Sequence, residues 1–317
     1  MSDRKRGIRI QTRIIVSALL LLLQIGFLFW VLYNVTAKSA ALYVLSMIAG
    51  IITVVYIVNR RGNPSHKIAW IIFILVFPVF GISVFLLWGG GRVLPHLRRK
   101  MERCEAHYLP LLKSDPEVFE KLRYYDIFHA RQAEYLSHES GYPLYGGTHT
   151  LYLSPGEKVF EKLLSELEKA QKYIYMEFFI LAEGYMWDKI HTILSYKVKK
   201  GVEIRIIFDD FGSIKRQHKD FITNLRAEGI KVSVFNPIKP SMNIFMNNRN
   251  HQKIVVIDGK TAFTGGFNIG DEYINREKRF GHWMDSGIML TGSAVNSFLA
   301  MFCSMWEFNT KKQIDMR

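Results

Sequence analysis

The hydrophobic pattern divides the chain into an apolar front and an alternating rear. Residues 14–33, 40–58 and 68–88 are three runs without a single Asp, Glu, Lys or Arg. Each is about 20 residues long, enough at about 1.5 Å per residue to cross a hydrocarbon layer of about 30 Å. They predict three transmembrane helices within residues 1–90. A cleaved signal peptide fits the first run poorly, because its apolar stretch is too long, no small-residue cleavage site follows, and two more runs come after it. Pro78 and Gly81 interrupt the third run, which leaves a kinked or re-entrant path open. Residues 91–147 are rich in helix formers over 92–112 and 117–137, broken by Pro110 and by Asp115-Pro116, where Asp115 suits a cap. They predict a helical neck. Its aromatics Tyr108, Tyr124, Tyr125 and Phe128 are expected to pack on the domain that follows, with a lipid surface as the alternative.

From residue 148 onward strands alternate with helices over a segment long enough for a core of its own. Strands are predicted at 151–153, 173–181, 202–208, 231–235, 253–258, 261–264 and 283–290. Helices are predicted at 156–171, 185–200, 215–228 and 293–308. The expected fold is therefore a membrane-anchored α/β protein, with N-terminal transmembrane helices followed at 148–317 by an α/β/α sandwich with a mixed sheet.

Charge sharpens this division. Residues 1–100 hold 13 Lys+Arg against the single acid Asp3, whereas the rest holds 29 against 27. The basic excess lies beside the membrane, where topology signals and anionic head groups use it, and the near-neutral rear argues against a nucleic-acid partner. The charge pattern does not fix which membrane face holds the rear domain. Only Cys104 and Cys303 occur, and neither the cysteines nor the ten histidines show metal-ligand spacing, so no metal or other cofactor is expected.

The chemistry concentrates in Asn250-His251-Gln252-Lys253, Asp258 and Gly265-Gly266-Phe267-Asn268. The run 253–258 alternates as a half-buried strand, so His251 and Lys253 point to one face. Asp258-Gly259 turns the chain, and 261–264 brings the glycines and Asn268 back beside the histidine. A neutral imidazole can attack phosphorus, an ammonium and an amide can hold the non-bridging oxygens, and glycine backbone can approach closely. Glu177, in an otherwise apolar strand, needs a basic or hydrogen-bonding partner near this cluster, since an unpaired buried carboxylate costs several kcal/mol. Asp209-Asp210 ends a strand where α/β sheets place ligand groups, though a helix-cap role for Asp210 is equally open. His282 has no motif around it and reads as a solvated or packing histidine.

The spacing His-x-Lys-x4-Asp-x6-Gly-(Ser/Gly)-x-Asn, met by His251, Lys253, Asp258, Gly265, Gly266 and Asn268, resembles the HKD motif of the phospholipase D superfamily. Asp285, in Trp283-Met284-Asp285, resembles the acid that orients the nucleophilic histidine in single-HKD members. Pro64-Ser65-His66-Lys67-Ile68-Ala69-Trp70, Pro78-Val79-Phe80-Gly81, Tyr142-Pro143-Leu144-Tyr145, the Glu177 strand and the run from Arg249 to Gly259 together resemble bacterial cardiolipin synthases of that superfamily. The resemblance runs from about residue 60 onward.

It implies a multi-pass protein of the bacterial cell membrane that joins two phosphatidylglycerols to cardiolipin and glycerol through a phosphatidyl-histidine. His251 would be the nucleophile, Lys253 and Asn268 phosphate ligands, Asp285 the orienting acid and Asp258 a structural carboxylate. Arg249, Asn250, Gly265, Gly266 and Glu177 would line the substrate. One departure matters: the family's chains carry two HKD motifs and this sequence holds one. A second imidazole is needed to protonate the leaving glycerol, so activity is expected through pairing, either as a homodimer or with a second HKD-bearing chain. The alternatives are a membrane-anchored hydrolase and an inactive half-enzyme or non-catalytic membrane subunit.

Overall fold

The computed structural model describes residues 19, 22–27, 29–30, 37–60, 62–89, 95–238, 249–279 and 281–316. The chain forms two compact units, one from residues 1–93 with 239–248 and one from 94–238 with 249–317.

In the first unit, α1 spans Ala37–Asn59, α2 Pro64–Val76 and α3 Pro78–Val84, followed by a π-helical turn over Phe85–Gly89. Among the described residues, Ala41–Asn59 is the one helix long and apolar enough to cross a membrane. Leu45, Ile48, Ile52 and Val55 lie exposed along it, an arrangement that suits hydrocarbon rather than water. Most of the predicted span at 14–33 lies outside the described residues. The span predicted at 68–88 is corrected, because it does not form one helix. Pro78 lacks the N–H that would continue α2, so α2 ends at Val76 with Phe77 as its cap, and α3 starts anew. The carboxamide Oε1 of Gln24 accepts the Phe80 N–H in the first turn of α3, 2.8 Å away, satisfying a donor that an apolar setting would otherwise strand. Gly81 allows α3 to fold closely against α2, since a Cβ there would sit 2.8 Å from Ile74 Cα. Ile57, Ile74 and Phe85 form this unit's small core. Lys67 Nζ donates to the Val58 carbonyl, 3.0 Å away, at the C-terminal end of α1.

The second unit is built on a seven-stranded sheet: β1 His149–Leu153, β2 Tyr173–Phe178, β3 Glu203–Asp209, β4 Lys231–Phe235, β5 Ile254–Ile257, β6 Thr261–Gly265 and β7 Gly287–Thr291. The spatial order is β1-β7-β6-β5-β2-β3-β4. β2, β3 and β4 run parallel; β5, β6, β7 and β1 pair antiparallel. The predicted mixed sheet and α/β/α layering are thus present. Helices α7 (Gly156–Leu167), α8 (Tyr185–Lys199) and α9 (Phe221–Ala227) cover one face, packing Leu163, Ile190 and Leu225 onto Ile174, Met176, Ile206 and Val255. The other face takes α10 (Val295–Thr310), whose Leu299, Phe302 and Trp306 meet Tyr175, Ile207 and Val256. Alternate residues of β2 and β5 serve opposite cores, as the period of two requires, and both faces are covered, which explains their near-continuous apolar runs.

Helix α4 (Pro95–Tyr108), expected in a separate neck, packs on α10 within this unit. Cys104 and Tyr108 are buried, and the Tyr108 hydroxyl accepts the Ile314 N–H at 3.1 Å. The helix predicted over 117–137 is two helices, α5 (Pro116–Tyr125) and α6 (Ile127–Ser140). Asp126 breaks it by adopting extended backbone and accepting the N–H groups of Phe128 and His129 with its own carboxylate. The helix predicted over 215–228 is reduced to α9, because residues 211–220 are held by long-range contacts instead. Ser213 Oγ accepts the Leu181 N–H at 3.0 Å, and Arg216 pairs with Glu272 at 2.6 Å.

Candidate functional site

The site lies where the C-terminal ends of β2 and β3 meet the segment entering β5. Because β5 runs antiparallel to β2, Glu177 pairs with Ile254, and residues 249–253 pass the ends of both parallel strands. These residues lie outside the ladder, which begins at Ile254 rather than at the predicted Lys253.

Two buried carboxylates hold this segment. Asp209, ending β3, accepts the Asn250 backbone N–H at 3.1 Å, the Arg249 guanidinium at 3.3 Å and the Phe211 N–H at 2.8 Å. Glu177, fully buried on β2, accepts the Asn250 side-chain amide through Oε1, while its Oε2 has no partner among the described residues. Burial pushes its pKa up to about 8, so the group is a neutral carboxylic acid at neutral pH. Asn250 in turn accepts the Gln252 N–H at 3.1 Å. Glu177 and Asn250 were expected to line the substrate. Both are buried, and their contacts make them the scaffold of the loop that presents His251.

His251 itself is exposed. Its ring packs edge-on against Phe179, with centroids 4.8 Å apart, and makes no hydrogen bond among the described residues. Burial of one side, then the neighbouring ammonium of Lys253, holds its pKa below the ordinary histidine range, against a smaller opposing pull from Asp209. The imidazole is therefore neutral at physiological pH. Lys253 is buried beside it; its Nζ donates to the His251 carbonyl at 2.8 Å and stands 5.7 Å from the Phe179 ring centroid. Burial lowers its pKa to about 8, with Asp285 the opposing charge. His251 and Lys253 do share a face, as the spacing predicts, and Phe179 is its floor.

Asp285 was expected on the imidazole. Instead Oδ2 accepts the Trp283 indole N–H at 3.1 Å and Oδ1 the Ser286 N–H at 2.8 Å, and its charge acts on Lys253. Gly265 and Gly266 leave room for this packing. A Cβ on Gly266 would lie 2.5 Å from Asp285 Oδ1, and one on Gly265 would lie 2.4 Å from the Ser286 carbonyl. Asn268 is pinned from both ends: Oδ1 accepts the Ile180 N–H at 3.0 Å, and Nδ2 donates to the Tyr273 hydroxyl at 3.0 Å, leaving one amide N–H. Asp210, weighed as a helix cap, accepts the Ile238 N–H at 2.6 Å.

Asp258 sits away from the cluster. β5 carries the chain about 16 Å from Lys253 to Asp258, where its carboxylate accepts the backbone N–H groups of Gln171, Lys172 and Tyr173 at 2.7–2.9 Å. The acid of the motif thus links the β5–β6 turn to the start of β2. Asp258→Ala is expected to lower unfolding stability by about 1–3 kcal/mol by stranding these donors, with kcat per folded molecule unchanged. Denaturation in detergent alongside activity normalised to folded protein checks this. A loss of kcat without a loss of stability would place Asp258 in the chemistry.

Phe179 and Tyr273 were not singled out by the sequence, while Asp209 was raised only as a strand-end acid and Trp283 only as a neighbour of Asp285. Asp209 carried a signal, as an acid at the carboxyl end of a parallel strand. Phe179 and Tyr273 carried none, since each reads as ordinary core.

Residues 163–306 match the family described as "Cardiolipin synthase, PLD-like domain", and residues 48–90 match "Phospholipase D-nuclease N-terminal". A Streptococcus mutans protein of uncharacterised function is 39% identical over 266 residues, covering 82% of this chain and 56% of its own. The cardiolipin synthase of Geobacillus sp. WCH70 is 34% identical over 264 residues, covering 82% of this chain and 52% of its own. The major cardiolipin synthase ClsA of Bacillus subtilis is 32% identical, with 81% and 54% covered. The chain thus spans about half the length of the curated relatives it matches. Among solved structures, a phospholipase D family member, Nuc from Salmonella typhimurium, aligns with 53% of this chain and 98% of its own at 18% identity and a TM-score of 0.40.

Proposed function

The chain belongs to the cardiolipin synthase branch of the phospholipase D superfamily, and on that footing we propose that it transfers phosphatidyl groups from phosphatidylglycerol through His251. The observation that favours this reading is the pairing of an exposed, neutral imidazole with a buried ammonium across one aromatic floor. A nitrogen lone pair free at physiological pH can attack phosphorus. The ammonium of Lys253, already desolvated, gains more from a phosphate oxygen than a hydrated lysine would, and most as negative charge builds in the transition state.

In the first half-reaction a ring nitrogen of His251 forms a bond to phosphorus and the bond to the glycerol oxygen breaks. Glycerol leaves with a proton from an acid. In the second, a hydroxyl of another phosphatidylglycerol loses a proton to the same group and attacks phosphorus, and the phosphorus–nitrogen bond breaks. Lys253 and the remaining amide N–H of Asn268 hold the non-bridging oxygens. Asp285 supports the charge on Lys253, and the Asp209–Asn250–Glu177 set fixes the backbone that presents His251. The acid is a second imidazole, from another copy of this chain or from a second HKD-bearing chain.

The purified chain in detergent with labelled phosphatidylglycerol tests this directly. Cardiolipin and glycerol are the expected products. Phosphatidic acid in place of cardiolipin would make the protein a hydrolase, and no product at any protein concentration would make it an inactive half.

A further inference from the structure

Helices α5 and α6 form a hairpin whose base and tip differ sharply in character. At the base, Val118 packs on Gly146 and Leu109 on Gly141, each so closely that a Cβ on the glycine would fall within 3 Å of the leucine or valine side chain. From there α6 carries the chain about 20 Å to the tip, at about 1.5 Å per residue. The tip reads Tyr124-Tyr125-Asp126-Ile127-Phe128. Tyr124, Tyr125 and Phe128 are 85%, 82% and 78% exposed, with Ile127 beside them. Three aromatic side chains held this far out of a core are an unusual surface for a chain in water.

We propose that this tip is a membrane-docking element that seats in the interfacial layer of a lipid bilayer. Its composition is the one that layer favours, since tyrosine and phenylalanine place ring carbon among acyl chains and, for tyrosine, a hydroxyl among head groups. Its backbone is ready for a low-dielectric setting. The Asp126 N–H donates to the Leu122 carbonyl at 2.7 Å, the Ala130 N–H to the Asp126 carbonyl at 3.0 Å, and the Phe128 and His129 N–H groups to the Asp126 carboxylate at 3.0 and 3.1 Å. Few polar groups at the turn are then left to be stripped of water. The carboxylate is itself held by the His129 ring at 2.5 Å. The same chain contains a helix apolar enough to cross a membrane, so a bilayer is at hand. A second protein copy is the weaker occupant, because a stable interface takes about 800 Å² and about 20 residues per partner, more than a convex tip of four apolar side chains supplies.

Charge separates this attachment from an electrostatic one. Residues 116–140 hold Lys121, Arg123 and Arg131 against Glu117, Glu120, Asp126, Glu134 and Glu139. The hairpin is acidic, and its docking is apolar, independent of anionic lipid and of salt.

The full chain, reconstituted in vesicles, tests this with an environment-sensitive fluorophore on Phe128→Cys. Cys104 and Cys303 are buried, so labelling is specific to the introduced thiol. Lys199→Cys, on α8 at the sheet end opposite His251, is the control. Brominated lipid is expected to quench the label at residue 128 by about twofold or more, as seating among acyl chains requires. The quenching should be equal in phosphatidylcholine alone, with phosphatidylglycerol added and at high salt, and absent at residue 199. Equal quenching at the two positions would overturn the proposal. So would a blue-shifted label at 128 that brominated lipid leaves unquenched and that responds to protein density, which would mean that another protein copy covers the tip.

Discussion

His251→Ala is expected to lower turnover by at least about a thousandfold while leaving the fold and the membrane association intact. The magnitude follows from the role: removal of a covalent nucleophile eliminates the bond-making step, and the neighbours can supply binding alone. The fold should survive because the ring is exposed and makes no hydrogen bond among the described residues; the substitution gives up one edge contact with Phe179. Labelled phosphatidylglycerol turnover, read beside thermal unfolding, measures both. Residual activity above about a thousandth of wild type would rule out covalent catalysis at this residue. The same variant reports on the second imidazole. If two copies share a site, mixing His251→Ala with wild type should lower activity as the square of the wild-type fraction under random pairing. A linear fall would mean that each chain works alone or with a different partner.

The motif was legible because its geometry is local. A strand, a short turn and a return strand are all local, and β5 and β6 form as the alternation predicts. The middle of the mixed sheet was legible for a related reason: β2, β3 and β5 are largely buried on both faces, so their apolar runs stand out. What the sequence could not reveal are contacts across long separations. The Asp258 carboxylate reaches back 85–87 residues to the start of β2, and Asp209 reaches forward 41 to Asn250. Nothing in the run around either acid indicates its partner. Glu177 was flagged as needing a partner, but that the partner is Asn250 was not visible, because a lone acid in an apolar strand looks the same whatever it meets. The break at Pro78 was visible in the sequence, but its outcome depends on Gln24 and Gly81 offering the new helix a donor's partner and a close seat. Composition alone does not place those side chains.

Lys253→Met is expected to lower kcat/KM by about a hundredfold to a thousandfold, the scale for removing one preorganised charge from a developing oxyanion, and to do so without loss of stability. The second half distinguishes a catalytic lysine from a structural one. The pKa of Lys253 lies near 8 in the folded chain and at 10.5 unfolded. Between these values the unfolded state binds more protons, so the lysine's contribution to stability rises with pH through that window and is at its least at neutral pH. Its ammonium is thus a burden on the fold that methionine removes, and Lys253→Met should unfold at the same temperature as wild type or higher. The pH profile follows from the same groups. Activity should rise with pH below the ordinary histidine range, as His251 becomes the neutral nucleophile. It should fall again near pH 8 as Lys253 loses its proton, since kcat/KM reports the free enzyme's ionisations. Lys253→Arg, whose guanidinium stays charged, should retain part of the activity and lose the alkaline fall. An alkaline limb that persists unchanged in Lys253→Arg would assign it to another group and remove Lys253 from the charge-neutralising role.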